Sequence, residues 1–553
     1  LPAFTGGLIG ADAELGHRMR DRKFGATSKV VRTRAVVVGA GIAGLSAGYR
    51  LTRRGVKDFV VLELERAAGG NSRSGGNQVS AYPWGAHYVP LPSASAVEVT
   101  ELFRDLGVIE RFDDRGQAVY REEFLCHDPM ERLFLHGRWQ EGVVPHHGLS
   151  TTERGEIERF LNFTEGLKTT NGSDGLPLFA IPVDRSSRDA AWRRLDGMTM
   201  AAWMELEGFR GESIRWYVNY CCRDDFGAGI DRVSAWAGLH YFAARSGVAA
   251  NAPSHAVVTW PEGNGWLVGR LRDVVGDRLR TRSAVWNVVR EGSGVRVDVW
   301  DAASETGITY VADAMILAVP GHVAARLDPG SKPFVGRSNE TDLAQGGHEP
   351  GGIPGGETPP SMAGGTPAAT ETAPLPHSRF MGGPVSFPWM VANLTLDRLP
   401  VGRGAPLAWD NVIYDSPSLG YVVATHQRLD PYPKETVLTY YRPLDDTDAA
   451  TARMTASRRS YSDWCDMILS DLSSVHAELR SSLRHLDVMV WGHGMVTPVP
   501  GFMWGSERGA LGRTDAPVYR AHSDASGMSL FEEACTRGIL AADALTAGLE
   551  GRA

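Results

Sequence analysis

Three glycines in "VVVGAGIAGL", Gly39, Gly41 and Gly44, follow an apolar run and open a helical pattern. Each suits a different need of a bound pyrophosphate. The first allows a tight turn after the strand, the second lets the backbone approach the anion, and the third lets the helix pack closely on the strand. Ala43 stands in the same first turn, whose N–H groups and dipole favour an anion. "FVVLELE" then closes a second strand on Glu63, an acid placed to accept hydrogen bonds from a ribose diol. An acid there disfavours a 2′-phosphate, so the spacing predicts FAD or NAD rather than NADP.

The residues after Glu63 separate these two. "LERAAGGNSRSG" carries an acid followed at fixed spacing by Gly69 and Gly70. This resembles the second fingerprint of the flavin amine oxidase, protoporphyrinogen oxidase and phytoene desaturase superfamily, roughly EARxxxGGR. The family's arginine is Asn71 here, which leaves Arg73 as the expected phosphate or flavin contact. "AYPWGAHYVP" matches the small apolar segment at the flavin, with Gly85, Ala86 and His87, and "WPEGNGWLVGRL" resembles the family's P-x-G-G stretch. "SAVWNVVREGSGVRV" resembles the strand whose backbone meets the adenine, at Val285. The tail, "AHSDASGMSLFEEACTRGILAADAL", resembles the terminal motif of the family: Asp524 at the ribityl chain, Ser529 and Leu530 entering a helix aimed at the flavin, and Glu532, Ala534, Gly538, Ala541 and Ala542 matching in register. Glu533 and Arg537 depart from the family's Gly and Ser. The resemblance implies resident FAD. No second GxGxxG is present for a nicotinamide domain, and no cysteine near "WGHGMVTPVPG" offers a covalent flavin link, so FAD is expected to be non-covalent.

The substrate then reduces the flavin by giving up hydride from an amine or another activated C–H bond, to N5. The residues expected to carry that chemistry are His87, His493, Trp504 and Tyr441, with Trp84, Tyr88, Tyr414 and Tyr440 as further aromatics near the ring. The family's amine oxidases place a lysine, through water, at the flavin, on a strand matching "PWMVANLTL". That strand has none, and neither Lys332 nor Lys434 falls in a suitable place. This weakens an oxygen-using amine oxidase and leaves a dehydrogenase, desaturase or isomerase that passes electrons to a quinone or cytochrome or returns the hydride. Two other readings stand beside amine oxidation: a desaturase or isomerase of an isoprenoid or fatty-acyl substrate, and a non-catalytic flavin-bearing scaffold.

The elements that must position these residues form an α/β fold, an FAD-binding Rossmann-like domain with a mixed-sheet plus helical substrate domain. The expected division is an N-terminal arm over residues 1–33; a discontinuous FAD-binding domain from 34–95, 255–328 and 485–553; a substrate domain from 96–254, read as mainly helical, and 385–484; and a Gly/Pro-rich flexible insertion over 329–384. The 553 residues and 43% hydrophobic content allow large cores. A net charge of −8 gives no basic footprint for nucleic acid, and no apolar run reaches membrane-spanning length. The partner expected is a small-molecule substrate. Five cysteines without CxxC spacing suggest neither a metal site nor a disulfide framework. A first residue other than Met suggests a removed leader, hence a periplasmic or secreted location over a cytoplasmic one.

Overall fold

A computed structural model describes residues 4–328, 384–429 and 433–551. The expected insertion therefore lies outside the described residues apart from Pro384, as does Lys332.

The strand Lys29–Val38 reaches full burial over Ala35–Val38, as a run apolar on both faces requires in the middle of a parallel sheet. Phe59–Leu62 and then Leu279–Arg280 flank it on one side in parallel. On its other side lies Thr306–Leu317, also parallel, which pairs at its start with the antiparallel Gly294–Asp301 and at its end with Val518–Arg520. Ser283–Glu291 completes this sheet.

Two helices lie together on one face: Ile42–Arg53, leaving the glycine turn, and the C-terminal Phe531–Glu550. Gly538 permits their closeness, since a Cβ there would stand 2.1 Å from the Ala43 carbonyl oxygen. Farther along, the Arg50 guanidinium clamps Asp543 with bonds of 2.8 and 2.9 Å. The two ends of the chain thus build one wall.

The second sheet has eight strands, in the order Leu8–Ile9, Leu483–Val496, Ser386–Leu396, Thr436–Pro443, Tyr421–Val423, Asp410–Ile413, Glu131–Leu135 and Arg138–Glu141. Alternation assigns its faces. Tyr441, Val391 and Trp389 join a core with the helices Thr151–Leu167, Met200–Leu206, Glu212–Phe226 and Ala235–Ala243. Tyr440, Met390 and Ala392 face the opposite core with Tyr461–Ser473.

Three expected boundaries move. Leu483–Val496 belongs to this second sheet, paired along Ser386–Leu396, rather than to the FAD-binding domain from 485. Two strands within the segment read as helical, Glu131–Leu135 and Arg138–Glu141, form the edge of the same sheet. The arm is stitched in: Leu8–Ile9 pairs with Val488 and Met489, and the central strand of the first sheet begins at Lys29 instead of 34. All five cysteines are buried and free. Among the described residues no helix is long and apolar enough to cross a membrane.

Candidate active site

Gly39 has φ +94°, and a Cβ there would meet the Ala318 carbonyl oxygen at 2.4 Å, so the turn demands glycine. A Cβ on Gly44 would lie 1.8 Å from the Gly39 oxygen, which fixes the close packing of turn and helix. Gly41 differs: its open side has nothing nearer than the Gly70 Cα, at 4.0 Å. Among the described residues no side chain caps the helix that Gly41 starts. The Gly69 N–H donates to the Ala40 carbonyl at 2.8 Å and ties the two glycine motifs together.

Glu63 is buried beneath this turn. Its carboxylate accepts from the Ala40 N–H at 2.7 Å and the Glu65 N–H at 2.9 Å. Burial raises its pKa, partly countered by those two amides. The Ser283 N–H donates to the Glu63 carbonyl, which brings the strand of Val285 alongside; the Val285 side chain is buried, and a bulge follows it. Asp524 accepts from the Gly321 N–H at 2.8 Å and lies 3.1 Å from His522 Nδ1. Burial works to raise its pKa, yet His522 and the Gly321 amide hold it below the ordinary value.

On the second sheet, against the helix Glu212–Phe226 and the start of the C-terminal helix, opens a cavity of about 130 Å³. Gly85, Ala86, His87 and Tyr441 line it, together with Ser529 and Leu530 from the approach to the C-terminal helix. A Cβ on Gly85 would fall 2.3 Å from the Asn71 carbonyl oxygen, and one on Gly263 2.7 Å from the His87 Cα, so both loops press against this wall. Asn264 steadies it by donating Nδ2–H to the Tyr88 carbonyl at 3.1 Å, and its Oδ1 lies buried at the cavity with no partner. The unpaired Asn264 oxygen on the cavity side and, separately, the free first-turn amides and bare Gly41 backbone of the glycine turn are groups that a bound dinucleotide would complete.

The substrate side is acidic and aromatic. Tyr88 donates to Asp224 Oδ2 at 3.3 Å, and Tyr441 donates to Asp410 at 2.9 Å. Asp225 is bound through both oxygens by Arg245, at 2.6 Å each. Asp224 lines the cavity without such a partner. Burial, then repulsion from Asp225, raises its pKa to about 7. Glu532, also lining the cavity, is raised to about 7, mainly by burial. Asp410 is pushed well above its ordinary value by burial and by Glu131 and Asp224. His87 sits amid Tyr88, Trp409 and Tyr441, with ring centroids 5.1–5.5 Å away. Burial lowers its pKa to about 4, and Nδ1 is 3.0 Å from the Gly85 carbonyl oxygen. A carbonyl only accepts, so Nδ1 carries the proton and Nε2 has the free lone pair.

Other expected residues face elsewhere. Trp504 packs edge-on against Trp236 at 5.3 Å, under Arg193, and is no part of the cavity wall. His493 stacks on His322 at 4.0 Å and meets Ser386 Oγ at 2.9 Å, while its neighbour Gly494 reaches the cavity. Arg73 is taken up by Glu65 and the face of Trp491, whereas Asn71 itself lines the cavity. Tyr440 points to the far side of the sheet and bonds Asp471; Tyr414 stacks on Trp216. Trp84 is covered and only its carbonyl serves, accepting from the Trp491 indole at 2.6 Å. Sequence reasoning missed Asp224, Asp225, Arg245 and Asp410. One signal for Asp224 was present: Tyr217, Tyr220 and Asp224 recur at helical spacing on one face of Glu212–Phe226.

The model of the flavin-containing amine oxidoreductases matches residues 42–346, over half of the chain. The chain belongs to this family. It is 31% identical over 103 residues to polyamine oxidase 7 of Oryza sativa subsp. japonica, covering 17% of this chain and 21% of that one. It is 30% identical over 128 residues to monomeric sarcosine oxidase of Bacillus sp. (strain B-0618), covering 20% and 33%. The chain therefore spans a third or less of the length of these curated relatives. Its fold resembles cyclohexylamine oxidase from Brevibacterium oxydans IH-35A, with TM-score 0.61 and 14% identity over 94% of this chain and 99% of the other. The cofactor of this family is FAD; the glycine turn, the unpaired Asn264 oxygen and the uncapped start of the C-terminal helix at Leu530, on the cavity wall, fit it.

Proposed function

We propose that this protein oxidises an amine at the carbon bearing the nitrogen, and that the amine enters as a cation received by Asp224. The observation that carries this is a half-buried carboxylate on the cavity wall, among aromatic side chains, with no ion-pair partner among the described residues, Arg245 being held by Asp225. A buried charge without a partner is costly, and an incoming ammonium removes that cost. Tyr88, Tyr441 and Trp389 supply π faces that favour a cation and exclude water. An isoprenoid or acyl chain would leave Asp224, Asp225 and Glu532 facing apolar surface, which disfavours the desaturase reading.

Bound FAD supplies the hydride acceptor. The chain's own groups prepare the substrate. With its pKa near 7, Asp224 can take a proton from the ammonium and leave the amine neutral, the form that gives up hydride. Asp410 holds the Tyr441 hydroxyl in place, and His87 Nε2 offers a second acceptor in the same wall. The strand Ser386–Leu396 presents Trp389 and Val391 to the cavity, and none of the described lining residues is a lysine. This supports an acceptor other than dioxygen.

Anaerobic flavin reduction by a primary amine and by its N-acetylated counterpart tests the assignment. The amine should reduce the flavin and the uncharged amide should not. Equal reduction by both overturns the role of Asp224.

A further inference from the structure

The N-terminal segment runs from the second sheet past Glu65 to the antiparallel strands of the first sheet. The Thr5 N–H donates to the Arg484 carbonyl at 3.1 Å and the Gly7 N–H to Asp487 Oδ1 at 3.0 Å, and Leu8–Ile9 pairs in parallel with Val488 and Met489 of the substrate sheet. The Asp12 N–H then donates to both oxygens of Glu65, at 3.1 Å each. The helix Ala13–Arg20 follows, with Leu15 buried. Phe24 lands on Trp286 and Trp300, centroids 6.2 and 5.7 Å away, and Arg18 lies over the Phe24 ring at 4.8 Å. The Ser28 N–H closes the path on the Gly307 carbonyl at 2.9 Å.

Glu65 links this segment to the cofactor side. Its own N–H donates to Glu63 Oε1 at 2.9 Å, its carboxylate receives Arg73 at 3.3 Å, and its carbonyl accepts from the Arg282 N–H at 2.9 Å. Trp286, under Phe24, is the neighbour of Val285. The segment thus grips both polypeptide edges beside Glu63 and ties them to the other sheet. Leu15 is buried and Met19 packs on the core beneath this sheet, so the helix is anchored while the Asp12 N–H and Phe24 reach Glu65 and Trp286.

We propose that residues 5–24 form a strap that retains FAD by fixing Glu65, and through it Glu63 and the strand of Val285, on the side of the site where the adenosine half of the cofactor is expected. The strap acts on cofactor dissociation and leaves the substrate chemistry alone.

The test compares Asp12→Pro with Asp12→Ala in the full-length holoenzyme. Asp12 has φ −70°, which a proline ring accepts, and its side chain also caps the helix by accepting from the Leu15 N–H. Both variants lose the cap; only the proline variant loses the N–H that binds Glu65. FAD release is followed by the fluorescence that free flavin regains in flavin-free buffer. Asp12→Pro should release FAD about tenfold faster than Asp12→Ala, the effect of one hydrogen bond to a charged group. Phe24→Ala, which frees the other anchor, should release FAD faster than the parent protein. In both, the anaerobic reduction rate per bound flavin and the urea midpoint of the apoprotein should stay at control values. Release at control rates in both variants overturns the proposal. So does faster release that only follows an equal fall in apoprotein stability, because the segment would then serve folding alone. If Asp12→Pro does not fold, Phe24→Ala decides by the same two readouts.

Discussion

Asp224→Asn keeps the shape of the side chain and removes the charge offered to the substrate. The structure sets the size of the effect. The carboxylate is half-buried at the cavity, its hydrogen-bond partner is the neutral Tyr88 hydroxyl, and Arg245 is engaged by Asp225. A hydrogen bond between charged groups in such a place contributes about 1.5–3 kcal/mol. At about 1.4 kcal/mol per decade, kcat/KM for flavin reduction should fall roughly 10- to 150-fold. The pH dependence gives a second, independent signature. With a pKa raised to about 7, Asp224 is neutral below that pH and anionic above it, so kcat/KM should rise with pH through about 7. The bound ammonium favours the anion, so the matching limb in kcat should lie at lower pH. Glu532 titrates in the same range, and Glu532→Gln is therefore the control. Anaerobic stopped-flow reduction measures these quantities without involving the electron acceptor. A loss below threefold, with the limb near pH 7 intact in Asp224→Asn, refutes the assignment.

Gly538→Ala pits a helix-propensity gain of about 1 kcal/mol against a Cβ placed 2.1 Å from the Ala43 oxygen; the clash should win, with a net loss of roughly 1–3 kcal/mol in urea unfolding and weaker FAD retention. Tyr441→Phe removes the donor to Oδ1 of buried Asp410, while Tyr220 still donates to Oδ2 at 3.3 Å, and should cost about 1–3 kcal/mol of stability by the same assay, together with a rise in KM. His493→Asn, on a residue that stacks on His322 away from the cavity, should leave kcat/KM for reduction within about threefold, the level of a surface substitution. With no lysine in the described cavity wall, the reduced enzyme should pass electrons to a quinone analogue faster than to dioxygen when reoxidation is timed with each.

Local rules carried the cofactor half of the site. Gly39, Gly41 and Gly44 lie within six residues, so their roles follow from sterics over a short span, and the tail motif is continuous in sequence. What tied them together in space was the Gly538–Ala43 approach, anticipated by the paired fingerprints. The substrate half was less legible because its groups meet across elements. Tyr441 reaches Asp410 from another strand, and Arg245 reaches Asp225 from beyond a different helix. Alternation along Thr436–Pro443 does separate Tyr441 from Tyr440, but which parity faces the cavity depends on the opposing layer. The same dependence misdirected Trp504 and His493, whose neighbours in sequence do not reveal that Trp236 and His322 occupy their faces. The arm was read as surface chain because pairing of only Leu8 and Ile9 leaves almost no periodic trace.

Anaerobic titration of the purified protein with a primary amine, and separately with an apolar polyene, followed at the visible flavin band, tests the central claim most directly. The predicted result is a yellow protein bleached by one equivalent of amine per FAD and unchanged by the polyene. A protein that takes up no FAD, or a flavin bleached by the polyene and by none of the amines, contradicts the account.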